Sequence, residues 1–305
     1  MKNKHIAYLV FWDDITSNGI IKNQVIPTLE FMTEKNIKMT MISIVQQTFE
    51  YNPTALSKIK KRLDKSDIEL YVIKGDNDPY NPLTVINPLL QLIRTKEIDL
   101  FHCRSYFASL VAAKIKELTN IPFIFDLRGR FPEEQKYVRD ESLGFLKNVN
   151  SDNKYLKDKS LEDYLLKTAD ASVVLNESFA NTLINNINCK IKNLVQIPSF
   201  VDRDLFKYNF QNRNALRNKL GIKNSTVFVF SGSMSPWYDF EGLIGFFKQI
   251  IRINQKVYFL ILTYRDNAFE KGKYETYVEK LFSENGIDQK YYGLYSAEYE
   301  EIPVW

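Results

Sequence analysis

Residues 99–134 read DLFHCRSYFASLVAAKIKELTNIPFIFDLRGRFPEE, in which two short apolar runs flank one amphipathic stretch. Leu100 to His102 is the first run. Ala108, Val111, Ala112, Ile115 and Leu118 then recur at helical spacing, and Pro122 opens the second run over 123–125. A crossover of helix length joins parallel strands, so this stretch predicts a β–α–β unit in a sheet covered by helices. In such sheets ligands collect beyond the carboxyl ends of the strands. His102 and Arg104 leave the first strand end, and Asp126, Arg128, Gly129 and Arg130 leave the second. Two titratable clusters on one rim mark a candidate site. The structural alternative stands beside it: Asp126 could bond backbone amides, and His102 could be a satisfied, half-buried histidine.

The same alternation extends in both directions. Residues 6–12 form an apolar first strand, and a loop leads to Gly19 and a helical face of Ile21, Val25, Leu29 and Met32. Residues 39–45 and 68–74 read as strands around a basic helix over 53–65, whose Lys58, Lys60, Lys61, Arg62 and Lys65 are read as a solvated face, with contact to anionic lipid headgroups as the alternative. A helix over 83–96 closes this part. Residues 127–153 are polar and poorly periodic, which predicts a long, flexible rim. A helix over 155–168, a strand over 171–175, a helix over 177–188 and a strand over 194–197 follow.

PSFVDRD at 198–204 lacks periodicity and is placed as a hinge, before a short helix over 212–220. A second α/β unit follows, with strands over 226–231, 257–263 and 291–294, helices over 239–254 and 270–285, and a final helix capped by Ser296. Gly232 and Ser233 stand where its first strand meets a helix, and Thr263 where its second strand ends. Arg265 and Lys271 are candidate phosphate cations, with solvated loop charges as the alternative. Trp237 could stack on a base or sugar, or simply pack.

Bulk properties narrow the function classes. A formal net charge of +4 comes from interleaved basic and acidic residues, so no nucleic-acid stripe is present. The two cysteines, Cys103 and Cys189, match no metal or redox spacing, and no metal is expected. The three-glycine dinucleotide fingerprint is absent, which disfavours a nicotinamide cofactor. No run approaches the roughly 18 apolar residues that span a bilayer, and the apolar start has no cleavage site, so a cytoplasmic protein is expected.

Six segments carry a family pattern: SNGIIKNQVIPTLEFM at 17–32, FHCRSYFASLVAAKI at 101–115, FDLRGRFPEE at 125–134, TADASVVLNESFANTL at 168–183, IPSFVDRDLF at 197–206 and FVFSGSMSPWYDFEGL at 228–243. With these the chain resembles, almost end to end, the retaining family-4 glycosyltransferases of bacterial surface-polysaccharide synthesis. The resemblance implies an α/β GT-B-like fold of two Rossmann-like domains whose parallel sheets face a central cleft, with 1–198 the acceptor domain and 199–305 a partial nucleotide-sugar domain. It implies transfer of a sugar, with retention, from a nucleotide-diphosphate sugar to a glycan or lipid-linked acceptor in polysaccharide or lipopolysaccharide biosynthesis. The donor is a substrate, so no separate cofactor is expected, and peripheral contact with the inner membrane surface is compatible with the charge.

By the same resemblance Gly19 would approach the sugar-phosphate, and His102, Asp126, Arg128 and Glu133 would line the acceptor side. Gly232 and Ser233 would present amides to the diphosphate, with Thr263 near the nucleotide. Two departures stand out. The basic residue many members carry soon after the loop at 231–233 is absent before Lys248, and the family's downstream Glu-x7-Glu element would lie past Trp305. The second domain is therefore expected to be truncated. The competing readings are a nucleotide-sugar 2-epimerase of the same architecture and an inactive binding remnant.

Overall fold

The computed structural model describes residues 4–16, 19–143, 149–186, 191–232, 238–263, 273–297 and 299–305. The chain divides into two compact units, Met1–Phe200 and Val201–Trp305.

The first unit is a seven-stranded, all-parallel sheet in the order β3-β2-β1-β4-β5-β6-β7. Its strands are β1 (His5–Phe11), β2 (Lys38–Gln46), β3 (Glu69–Gly75), β4 (Leu100–Arg104), β5 (Phe123–Asp126), β6 (Ala171–Val174) and β7 (Leu194–Gln196). One face is covered by a π-helical turn (Ile21–Val25) running into α1 (Ile26–Glu34), and by α2 (Pro53–Asp64); Ile21, Val25, Leu29, Ile59 and Leu63 pack there on Tyr8, Val10 and Met41. The opposite face carries α3 (Leu83–Lys96), α4 (Ser105–Thr119) and α7 (Glu177–Asn186), with Leu89, Val111, Ile115 and Leu183 packed on Phe101, Phe123 and Phe125. Local signals fix the helix ends. Asn52 accepts the Ala55 amide ahead of Pro53 to start α2, and Asn120 takes a left-handed φ of 62° to end α4.

Residues 127–153 differ from the sequence expectation of an irregular, flexible rim. They contain α5 (Phe131–Leu143) and the start of α6 (Val149–Thr168). Over 131–143 the apolar periodicity is missing because α5 is rich in charged residues, among them Glu133 paired with Arg130 and Lys159; the later part of α6, 155–168, was expected, and it buries charge. Asp158 and Glu162 are almost fully buried. Glu162 accepts a hydrogen bond from Tyr106 Oη on α4 at 2.5 Å and pairs with Lys159. Asp158 accepts one from Tyr80 and lies 3.7 Å from Arg139 of α5. Buried charges persist only when paired, and here the pairs tie α6 to its neighbours.

The second unit has a three-stranded parallel sheet in the order β10-β9-β8, formed by β8 (Thr226–Ser231), β9 (Val257–Leu262) and β10 (Tyr292–Tyr295). It is accompanied by α8 (Phe210–Lys219), α9 (Phe240–Ile253) and α10 (Lys273–Glu284). All of β9 is buried, as a central parallel strand should be. Phe240, Ile244 and Phe247 form the buried side of α9, whereas Leu243 is exposed. The final helix expected after Ser296 is a 3-10 turn, Tyr299–Val304, with Pro303 inside it. Among the described residues no helix is long and apolar enough to cross a membrane.

Two outcomes follow for stability. Tyr106→Phe removes a donor from the buried Glu162 carboxylate and should lower the unfolding free energy of the first unit by about 1–3 kcal/mol in urea titration. His5 is buried at the start of β1; its Nδ1 donates to the Lys96 carbonyl at 2.7 Å, so Nε2 of the neutral ring accepts from Thr40 Oγ1 at 2.8 Å. Burial holds its pKa below the ordinary 6.5, so the unfolded chain takes up the proton first as pH falls. Stability should be full above pH 6.5 and decline below it, and His5→Gln should flatten that slope in thermal melts compared at neutral pH and about pH 5.

Candidate functional site

The carboxyl rim of the first sheet is assembled by strand register. In the parallel ladder Tyr8 stands opposite His102, and Arg104 opposite Asp126. Paired residues in register share a face, so Tyr8, His102, Arg104 and Asp126 project to one side, while Phe101, Cys103 and Phe125 project into the core on the other. The polar alternation within FHCR is thus a single-face signal.

His102 Nε2 lies 3.4 Å from Asp126 Oδ2, and its ring is 4.7 Å from that of Tyr8. Arg128 Nη1 approaches Asp126 Oδ1 to 3.7 Å, and its Nη2 donates to Gln24 Oε1 at 3.2 Å. Arg128 holds a left-handed φ of 51°, costly for a non-glycine residue, in the turn closed by Gly129 N to Leu127 O at 2.5 Å. Arg104 Nε stands 3.9 Å from Asp13 Oδ2. Asp126 is 4% exposed, and its Oδ1 has no hydrogen-bond partner, so the carboxylate is not consumed by backbone amides. Burial, reinforced by the Asp126 charge, pushes the Tyr8 phenol up, and burial does the same to the Cys103 thiol; both stay neutral.

The structure brings His102, Asp126 and Arg128 together as expected. It places Glu133 elsewhere: on α5 it pairs with Arg130 at 2.9 Å and Lys159 at 3.2 Å. Burial acts to raise the Glu133 pKa, but its own backbone amide and the two cations prevail and hold the carboxyl below its usual range. Tyr8 and Asp13 were absent from the sequence expectation. Aligning the alternation of β1 with that of β4 is the signal that would have found Tyr8. Gly19 is exposed in the helical start at 19–20 that leads into the π-helical turn; a Cβ there would meet only Asn23 Nδ2, at 3.8 Å, so the chain's own packing does not require glycine.

In the second unit Gly232 and Thr263 stand just past the paired ends of β8 and β9, Gly232 N bonding to Leu262 O at 3.0 Å. A Cβ on Gly232 would make ordinary contacts with Tyr238 at 3.6 Å, so the turn alone does not demand glycine. Thr263 is 5% exposed and its hydroxyl has no partner, an orphaned donor at a strand end. Ser233, Arg265, Lys271 and Trp237 lie outside the described residues. Among the described residues no group of His, Cys, Asp and Glu is placed to hold a metal ion.

Comparison with known proteins adds three solved structures of similar architecture. Anabaena Alr3699/HepE, crystallised with UDP, superposes with a TM-score of 0.68 at 16% identity, over 98% of this chain and 71% of that one. Sucrose-phosphate synthase (tll1590) from Thermosynechococcus elongatus gives 0.71 at 14% identity, over 99% and 73%. UDP-GlcNAc 2-epimerase from Neisseria meningitidis, bound to UDP-GlcNAc, gives 0.54 at 12%, over 98% and 74%. Likeness at these identities concerns the fold, and it establishes the GT-B-like α/β architecture. No curated protein matches the sequence. The family model described as Glycosyltransferase Family 4 matches residues 44–205, a span that holds β4, β5 and the whole His102–Asp126–Arg128 cluster. Because that match covers more than half of its 305 residues, the chain belongs to glycosyltransferase family 4.

Proposed function

We propose that this protein is a retaining glycosyltransferase that moves a sugar from a uridine-diphosphate sugar to a glycan or lipid-linked acceptor, at the cytoplasmic face of the inner membrane, in polysaccharide or lipopolysaccharide synthesis. The observation that carries the reading is the buried Asp126 carboxylate, whose Oδ1 is left without a hydrogen bond between His102 and Arg128 on a parallel-sheet rim. A carboxylate with an open acceptor oxygen suits a sugar hydroxyl, and the neighbouring Arg128 places a cation beside it. The uridine diphosphate follows from relatives crystallised with UDP and UDP-glucose.

In this scheme the bond from the anomeric carbon to the diphosphate oxygen breaks while the acceptor oxygen bonds to the same face of that carbon. The acceptor proton passes to the departing diphosphate. Asp126 orients the acceptor hydroxyl, His102 holds a second hydroxyl, and Arg128 balances the carboxylate. At the second unit the Gly232 region supplies close backbone approach to the diphosphate, and the Thr263 hydroxyl completes its hydrogen bonding on the nucleotide. Glu133 acts through Arg130 and Lys159 and not on the acceptor. Ser233, Arg265 and Lys271 remain candidates for the diphosphate.

Titration calorimetry with UDP and GDP tests the donor side, with binding of UDP expected; heat from neither would favour the inactive remnant. The epimerase reading has one point in its favour, the likeness to the Neisseria enzyme. Incubation with UDP-sugar alone separates the two, since transfer requires an acceptor and should leave the donor's stereochemistry unchanged.

Asp126→Asn should depress transfer by about a hundredfold or more with an unchanged circular-dichroism spectrum. Gly232→Val should weaken UDP binding and transfer together, again without unfolding. Thr263→Val replaces an unpartnered buried hydroxyl with its apolar isostere, so thermal stability should hold or rise while UDP affinity falls about fivefold to tenfold in calorimetry.

A further inference from the structure

We infer that Gln24 is a positioning residue of the rim site: it tethers Arg128 so that the guanidinium stands beside Asp126 without covering the open oxygen of that carboxylate. What the oxygen is kept open for rests on the transferase reading; how it is kept open rests on geometry alone. Arg128 Nη2 donates to Gln24 Oε1 at 3.2 Å, whereas its Nη1 stops 3.7 Å from Asp126 Oδ1, an ion-pair distance too long for a hydrogen bond. Arginine beside a carboxylate frequently closes into a two-pronged fork, as Arg62 does on Glu30 with both bonds at 2.8 Å. Arg128 does not close in this way, because residue 24 holds it from the other side. Asp126 Oδ1 is thereby left without a hydrogen bond.

A local feature of the chain brings Gln24 to this place, 104 positions away from Arg128 in sequence. Gln24 belongs to the π-helical turn ahead of α1, in which the Ile26 amide donates to the Ile21 carbonyl, five residues back and not the α-helical four. Pro27 accounts for the wider turn. In an α-helix its ring would crowd the Asn23 carbonyl, and it has no N–H to offer the Lys22 carbonyl, its π-helical partner. The Lys22 carbonyl is instead satisfied from outside, by Arg62 Nη1 of α2 at 3.1 Å. The extra residue turns the side chains of the turn away from their α-helical directions, and π-turns recur at functional sites for that reason. Arg62 pins the turn from one side while Gln24 takes Arg128 on the other.

Crystal structures of two variants test the tether without any substrate. In Gln24→Leu, Arg128 should swing onto Asp126 and bring a guanidinium nitrogen within hydrogen-bond distance of Oδ1; in Gln24→Glu, which keeps an acceptor oxygen, it should stay on residue 24. An Arg128 side chain that keeps its place in Gln24→Leu would overturn the inference. Kinetics with UDP-glucose as donor and octyl glucoside as a model acceptor read the consequence. Gln24→Leu should raise the acceptor KM about tenfold with the donor KM unchanged, and Gln24→Glu should restore it. In an Arg128→Ala background Gln24→Leu should change nothing further, since the tether then has nothing to hold. An equal loss in both backgrounds would give Gln24 a merely structural role and overturn the inference as well. Absence of transfer by the wild type would count against the transferase reading alone and leave the crystal structures to decide the tether; melting curves confirm that each variant is folded.

Discussion

Everything at the rim of the first unit depends on the parallel hydrogen-bond ladder joining β1, β4 and β5. Backbone pairing fixes register, and register decides which side chains share a face. A one-residue slip of β4 would send His102 and Arg104 into the core and bring Cys103 to the rim. Such a slip is opposed by Phe101, Cys103, Phe123 and Phe125, all fully buried on the other side. The apolar face therefore holds the polar face in place, and the proximity of Tyr8, His102 and Asp126 is a by-product of core packing.

A second constraint is the buried charge between α4, α5 and α6. Tyr106, Glu162, Lys159, Glu133 and Arg130 form a chain of hydrogen bonds and ion pairs that ends at the turn holding Arg128. Glu134 continues it, accepting from the Arg130 amide at 3.1 Å. An apolar interface could have held the helices equally well. A polar one also sets direction, because each carboxylate must meet its partner, and this gives the turn a defined seat despite the strained φ at Arg128.

Much of this was legible beforehand. The apolar runs over 100–102, 123–125 and 257–263 marked what became β4, β5 and β9, and Arg128 and Asp126 were placed on the correct strand end. His102, read as leaving β4, lies inside it, because the alternation in FHCR continues the strand through Arg104. Glu133 was assigned to the acceptor side by resemblance alone; the residues after Arg130 wind into α5, where Glu133 pairs with Arg130 and Lys159. The helix over 155–168 was read, whereas α5 at 131–143 carries charged residues with no apolar stripe for a helical template to catch.

The sequence alone determined the class of the fold, because strand-length apolar runs separated by helix-length amphipathic stretches leave parallel, helix-covered sheets as the way to bury both. It also determined the family, through motifs whose order survives in one dimension. Tertiary structure decided which polar residues meet. Tyr8 and His102 are 94 positions apart and touch only because parallel pairing aligns β1 with β4. Whether a charge is buried, paired or left open, as at Glu162, Lys159 and Asp126 Oδ1, is a property of three-dimensional neighbours, and no spacing along the chain encodes it.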